Sequence, residues 1–342
     1  MNNKKVKALV LLSGGLDSIL AVKLLLEQGI EVQAINFRTN FCGPSKARLA
    51  AEMLGVNLRE INIREDFLPI LKKPKHGYGA GMNPCIDCHA LMLKKAGEIM
   101  RAEGSCPEQG RRIDFIATGE VLGERPMSQH KLALGIVEKD ADIVGYLLRP
   151  LSAKLLEPTI AENEGLVDRE KLLDISGRSR KIQIELAEKY GIKEYPTPAG
   201  GCALTQKGFA DRLRELMKNK PDFNSDDVDL VAIGRHFFVR DETLRRGASH
   251  LAQGILPERS GAESKASVQI ILGRNQEEND ILESVAGKDD IIVQPDDFVG
   301  PLALVRGDAS VADKAKELIL QFSPKAKDLK PEEIRFKIVK KD

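Results

Sequence analysis

The chain has no tryptophan, and aromatic residues make up only 4% of its 342 positions. A surface that binds nucleic acid mainly by stacking bases on rings is therefore poorly supplied. No charge sign dominates either: 52 lysines and arginines face 51 acidic residues, a formal net charge of +1. That balance excludes a global basic field, so contact with a polyanion must rest on a local patch. No apolar run approaches the roughly 20 residues that span a bilayer, which excludes a helical membrane protein. Five cysteines in a chain of this length argue against a disulfide framework and for metal or catalytic thiols. Lys4, Lys5 and Lys7 lead directly into a short strand, so no signal peptide is expected and a cytoplasmic protein is. The length suits two domains with a sizeable core.

What is present is concentrated at one early stretch. Val6 and the run 8–12 read as a short buried strand, broken at Ser13-Gly14-Gly15 and followed at once by an apolar helix pattern over 19–26. Strand, glycine turn and helix together bring backbone N–H groups onto an anion at a helix N-terminus. Gly14 and Gly15 allow close backbone approach. Ser13 and Ser18 add hydroxyl donors, and Asp17 suits Mg²⁺ or the helix N-terminus itself. No Gly-Lys-Ser/Thr follows, so this is not a Walker loop.

Strands at 31–37, 58–63, 113–118 and 144–148 then alternate with helices at 19–28, 45–54 and from Cys85 onward. This order predicts right-handed βαβ units and a parallel sheet with its site at the strand C-terminal ends. Phe37, ending the second strand, and Thr118-Gly119, ending the fourth, should lie near a nucleotide. The polar cluster Arg125, Ser128 and Gln129 follows the same strand end. Prolines and glycines at 196–201 frame Cys202 as an exposed presentation loop, after which a boundary is expected, giving domains 1–205 and 206–342. The second part reads as a smaller α/β domain with strands near 230–233, 268–273, 291–293, 302–306 and 334–339. A mobile loop is expected at 247–266.

Cys85 and Cys88 form a Cys-x-x-Cys pair at a helix start, where the helix dipole favours thiolate. With remote Cys202 they suit three-point ligation of an iron–sulfur cluster. They suit equally a persulfide carrier with a resolving partner. A closed zinc site needs a fourth ligand, and His89 is awkwardly placed for it. Cys42 and Cys106 read as incidental loop thiols.

The stretch Ser13-Gly14-Gly15-Leu16-Asp17-Ser18 resembles the SGGxDS loop of the PP-loop ATP pyrophosphatases. Asn83-Pro84-Cys85-Ile86-Asp87-Cys88 resembles the Asn-Pro-x-x-x-Cys segment of tRNA 2-thiouridylases. Ala117-Thr118-Gly119 resembles their Ala-Thr-Gly-His motif, with Glu120 in place of histidine, and Gly200-Gly201-Cys202 falls where they carry a second cysteine. The loop and a late cysteine are also shared with tRNA 4-thiouridine synthetases, and the three cysteines resemble those of cluster-dependent tRNA thiolases. Residues 271–280 resemble an RNA-binding module of ribosome quality-control proteins.

The resemblance implies an adenine-nucleotide α-hydrolase-like parallel sheet flanked by helices, followed by a second α/β domain. It implies ATP and Mg²⁺ at Ser13, Gly14, Gly15, Asp17 and Ser18, with Asp17, Cys88 and Cys202 catalytic. It also implies a 4Fe–4S cluster on Cys85, Cys88 and Cys202, tRNA as substrate, and a separate sulfur donor. The expected reaction adenylates a uridine carbonyl and replaces its oxygen by sulfur. Two other readings share parts of the pattern: an amide- or nitrile-forming ligase of the deazaguanine-synthase type, whose clustered four-cysteine pattern is absent, and a non-catalytic RNA-binding adaptor. For RNA docking, the basic residues of the second domain are the candidates: Arg212, Arg214, Lys218, Lys220, Arg235, Arg240, Arg245, Arg246 and the strand from Arg335 to Lys341.

Overall fold

A computed structural model of the chain describes residues 5–41, 46–104, 112–195, 202–240, 267–307, 311–328 and 334–340. Cys42, Cys106, the loop 196–201, Arg245, Arg246, the stretch 247–266 and Lys341 lie outside the described residues. The chain divides into two units, Met1–Lys207 and Gly208–Asp342. Among the described residues no helix is long and apolar enough to cross a membrane.

The first unit is a five-stranded parallel sheet: β1 (Lys7–Leu11), β2 (Glu31–Arg38), β3 (Asn57–Asn62), β4 (Phe115–Thr118) and β5 (Leu147–Leu148), in the order β3-β2-β1-β4-β5. Side chains alternate across a strand, and both faces of β1 are buried. Ala8, Val10 and Leu12 enter one core with α1 (Leu16–Glu27), α2 (Ala47–Leu54) and later Ala187. Leu9 enters the other with Leu93, Ala96 and Met100 of a long helix, Cys85–Gly104. The result is helix, sheet, helix in three layers.

Besides the one-turn helix at 160–163, two helices fall where no helix is expected from sequence: α3 (Arg64–Lys72), which contains Pro69, and a helix Lys131–Asp140. The latter is capped by His130, whose Nδ1 accepts from the Ala133 N–H at 3.2 Å. Histidine is an uncommon cap, which is why the start is hard to read. With the order above, Cys85–Gly104 is α4 and Lys131–Asp140 is α5. Two further helices, α6 (Ile160–Asn163) and α7 (Lys181–Lys189), complete the unit.

The second unit is antiparallel, with β6 (Arg235–Arg240), β7 (Ser267–Leu272), β8 (Ile291–Pro295), β9 (Ala303–Arg306) and β10 (Phe336–Lys340) in the order β10-β8-β9-β7-β6. It also holds α8 (Lys207–Asn219), α9 (Ser225–Leu230), α10 (Gln276–Val285) and α11 (Ala312–Phe322). The strand expected near 230–233 is instead the end of α9 and the turn behind it. Asn224 accepts from the Asp227 N–H and Asp227 returns the bond, a reciprocal cap that starts a helix over an apolar run.

Because β2 and β4 flank β1 on opposite sides, the chain reverses direction across the sheet at β1/β4. In a parallel α/β sheet that reversal is where a ligand crevice forms, at the strand C-termini. Leu11 is paired with Thr118, so the glycine loop and the end of β4 stand level. They also touch. A methyl group at Gly119 would lie 2.5 Å from both the Asp17 carbonyl carbon and the Ser18 amide nitrogen. Gly119→Ala is therefore expected to destabilise the protein by about 1–3 kcal/mol through overpacking. Urea unfolding checks this, and an unchanged midpoint would show that strand end and loop are not in contact.

Candidate functional site

The loop is built for a tight anion cradle. Gly14 has φ +80°, and a methyl there would meet the Lys46 carbonyl carbon at 2.4 Å. Within the loop, Gly15 N–H donates to Ser13 Oγ at 3.2 Å, and Ser18 Oγ donates to the Gly15 carbonyl at 2.8 Å. Asn36 Nδ2 ties the end of β2 to the Leu12 carbonyl at 2.8 Å. The helix α1 begins at Leu16, earlier than the apolar pattern marks it, which puts Asp17 in its first turn.

Asp17 faces inward. Burial pushes its carboxyl above the usual range, opposed first by the nearby Arg180 guanidinium, whose Nη2 stands 3.4 Å from Asp17 Oδ2. Asp17 Oδ1 is buried without a hydrogen-bond partner. An orphaned carboxylate oxygen beside a phosphate-type loop fits Mg²⁺, which takes one or two carboxylates and completes its shell with phosphate and water oxygens. Glu124 is also raised, by burial and then by Asp17.

The other expected residues divide. Thr118 is buried and its Oγ1 donates to Glu120 Oε2 at 3.1 Å. Phe37 is buried among Ile35, Ile63 and Leu93 in the core beneath. Ser128 and Gln129 are buried, and Gln129 Oε1 accepts from the Arg125 N–H at 3.0 Å, bracing the turn. Arg125 itself is exposed at the tip. Its charge favours the ionised forms of both Asp17 and Cys85, so it links the loop and the thiols.

Crossover helices run antiparallel to the strands, which brings the start of α4 to the same end of the sheet as the loop. Cys85, Cys88 and Cys202 are all half-buried. Asp87, between the first two, accepts from the backbone N–H groups of Lys75 and His76 at 2.8 and 3.1 Å. The segment of Cys202 is brought to the start of α4 by a 2.9 Å bond from the Met82 N–H to the Leu204 carbonyl. Burial pushes the Cys85 thiol up, and Asn83 and Arg125 oppose this only in part. Burial thus works against the thiolate that the helix start is expected to favour at Cys85.

The Cys-x-x-Cys pair and Cys202 are brought to one neighbourhood without completing a metal cradle. Among the described residues no three His, Cys, Asp or Glu side chains form a group able to hold a metal ion.

Behind the thiols sits a network of which the sequence marks only Glu120, at the histidine position of the Ala-Thr-Gly-His motif. Glu120, buried, accepts from Arg149 Nε at 3.0 Å and pairs with His89 Nδ1 at 2.8 Å. Buried Arg149 also pairs with Glu138. Burial works against the Glu120 charge, yet Arg149 and His89 prevail and hold its carboxyl at about 2. The stability this contributes is fully present above the ordinary carboxylate value and is lost as pH falls toward about 2. Glu120→Gln should cost about 3 kcal/mol near neutral pH, the low end for breaking a buried pair. The deficit should shrink on acidification. Urea unfolding at the two pH values tests this, and equal stabilities at neutral pH would remove the network from the fold's support.

Comparison with known proteins adds two family matches. Residues 6–163 match the tRNA methyl transferase HUP domain, and residues 263–342 match the NFACT protein RNA binding domain. The tRNA-specific 2-thiouridylase MnmA 1 of Syntrophus aciditrophicus is 28% identical over 233 residues, covering 62% of this chain and 56% of that protein. The MnmA of Caldicellulosiruptor saccharolyticus is 29% identical over 214 residues, covering 55% and 52% respectively. A solved 4-thiouridine synthetase–RNA complex with bound ATP is 19% identical, covering 66% of this chain and 52% of that one, with a TM-score of 0.37. The chain thus spans little more than half the length of these curated relatives.

Proposed function

We propose that this chain, whose first unit belongs to the PP-loop ATP pyrophosphatases akin to the tRNA 2-thiouridylases, is an ATP-dependent tRNA sulfurtransferase. The observation that carries the reading is an intact Ser13–Ser18 loop at the β1/β4 crevice with a thiol-bearing helix start at the same sheet end. ATP lies with its β- and γ-phosphates on the loop amides and the Ser13 and Ser18 hydroxyls. Mg²⁺, held by Asp17, neutralises phosphate charge when bound. A uridine carbonyl oxygen attacks the α-phosphorus and pyrophosphate leaves, which converts a poor oxygen leaving group into AMP.

Sulfur then arrives through the thiols. In the persulfide form the terminal sulfur on Cys88, supplied by a separate donor, attacks the activated carbon and AMP departs. The Cys202 thiolate attacks the Cys88 sulfur, the S–S bond to the transferred sulfur breaks, and a Cys88–Cys202 disulfide remains for an external reductant. The spacing of Cys85, Cys88 and Cys202 supports the other route, a cubane cluster with one open iron. The second unit, from its match to an RNA binding domain, docks the tRNA.

Nucleoside mass spectrometry of tRNA incubated with the protein, ATP and a persulfide sulfur donor with a thiol reductant, or with sulfide for the cluster route, tests the reaction. Thiouridine and AMP should form together, and Cys88→Ala should abolish thiouridine while AMP release persists. A protein that makes neither product is not this enzyme. On the persulfide route anaerobic reconstitution leaves the protein without a stoichiometric iron chromophore, whereas about four irons lost in each of Cys85→Ala, Cys88→Ala and Cys202→Ala would establish the cluster. For the second unit, Lys337→Ala/Lys340→Ala should flatten log affinity against log salt by about 0.7–0.9 per lost phosphate contact. An unchanged slope would place the RNA elsewhere.

A further inference from the structure

Helix α7 lies beyond the matched family segment, which ends at residue 163, yet it packs on α1. Its first turn brings polar groups toward the glycine loop. Arg180, at the N-cap of α7, reaches Asp17 at 3.4 Å, a long contact for an ion pair of this type. Its Nε is buried with no hydrogen-bond partner. Gln183 is 0% exposed and faces the Asp17 carboxyl closely enough to favour its ionised form as a donor, yet neither of its amide atoms reaches a partner at ordinary hydrogen-bond geometry. Positions three apart share a helix face, so Arg180 and Gln183 approach Asp17 together. With Asp17 Oδ1 also orphaned, four of the nine buried side-chain atoms without a partner among the described residues lie in this one cluster, where buried polar groups are ordinarily satisfied. Buried polar groups are costly to leave unmet, and such a concentration points to a ligand.

We propose that Arg180 is the phosphate clamp of the nucleotide site, held in place by Asp17 until a nucleoside triphosphate arrives, with Gln183 positioning the pair from behind. On binding, Asp17 turns to the metal and Arg180 to the phosphates. Its planar fork suits phosphate oxygens, and its weak hydration lowers the cost of leaving the carboxylate. Gln183 supplies hydrogen bonds to whichever partner remains. The inference rests on the nucleotide reading given above, and goes beyond it by assigning a cation that the loop itself lacks.

Binding of Mg-ATP and of adenosine to the full chain, measured by calorimetry, separates the two. Arg180→Ala should weaken Mg-ATP by about tenfold or more while adenosine binds as in the wild type. Arg180→Lys, keeping charge without the fork, should recover part of the loss. Equal Mg-ATP affinity in wild type and Arg180→Ala overturns the clamp and leaves the nucleotide site standing. A wild-type protein that binds no Mg-ATP overturns both. Loss of adenosine along with ATP in both variants assigns Arg180 to structure alone, and likewise overturns the clamp.

Discussion

Everything at the top of the first unit depends on one close approach, the backbone of Gly119 lying against the first turn of α1. Only a residue without a Cβ fits there. The contact seats the end of β4 directly on the loop that follows β1, at the point where the parallel sheet reverses its winding. It follows that the polar turn after β4, with Arg125 at its tip, is delivered to the edge of the loop. A side chain at position 119 would separate the two halves of the crevice before any ligand was considered.

The second support is electrostatic. Glu120 follows immediately, and its buried carboxylate joins Arg149, just after β5, to His89 on α4. Three consecutive parts of the fold are thereby tied at one buried charge. The helix carrying Cys85 and Cys88 is held from beneath by this network and from the side by Asp87, whose two oxygens take backbone N–H groups from the preceding loop. These bonds hold thiols and loop at one end of the sheet while leaving the thiols half-exposed. The substitution of glutamate for histidine after Ala117-Thr118-Gly119 thus has a structural partner in His89, the residue after Cys88.

The second unit obeys different rules. Its neighbouring strands are all antiparallel, yet β7 and β8 run parallel across β9, and β9 and β10 run parallel across β8, so α10 and α11 are the crossovers that join them, while α9 follows a local capping signal at Asn224. Among the described residues several of its basic side chains are engaged: Arg306 and Lys220 both pair with buried Asp227, and Arg274 with Glu278. A count of lysines and arginines therefore overstates the charge available for a polyanion.

Much of the site was legible in the chain itself. Ser13 through Ser18, the order of strands and helices in the first unit, and the thiols at a helix start follow from local rules: glycine freedom, hydrophobic period and capping. Those rules act between residues a few positions apart. Arg180 and Gln183 were not legible, since their meaning lies in proximity to Asp17, 163 residues before Arg180. Nor was the height of the Cys85 pKa, because a helix start is visible in sequence but burial is not. The sequence by itself determined that a phosphate-type loop, a thiol pair and a parallel sheet would be made. Only the tertiary structure decided which charges would face them, because desolvation and ion pairing depend on what long-range packing brings alongside.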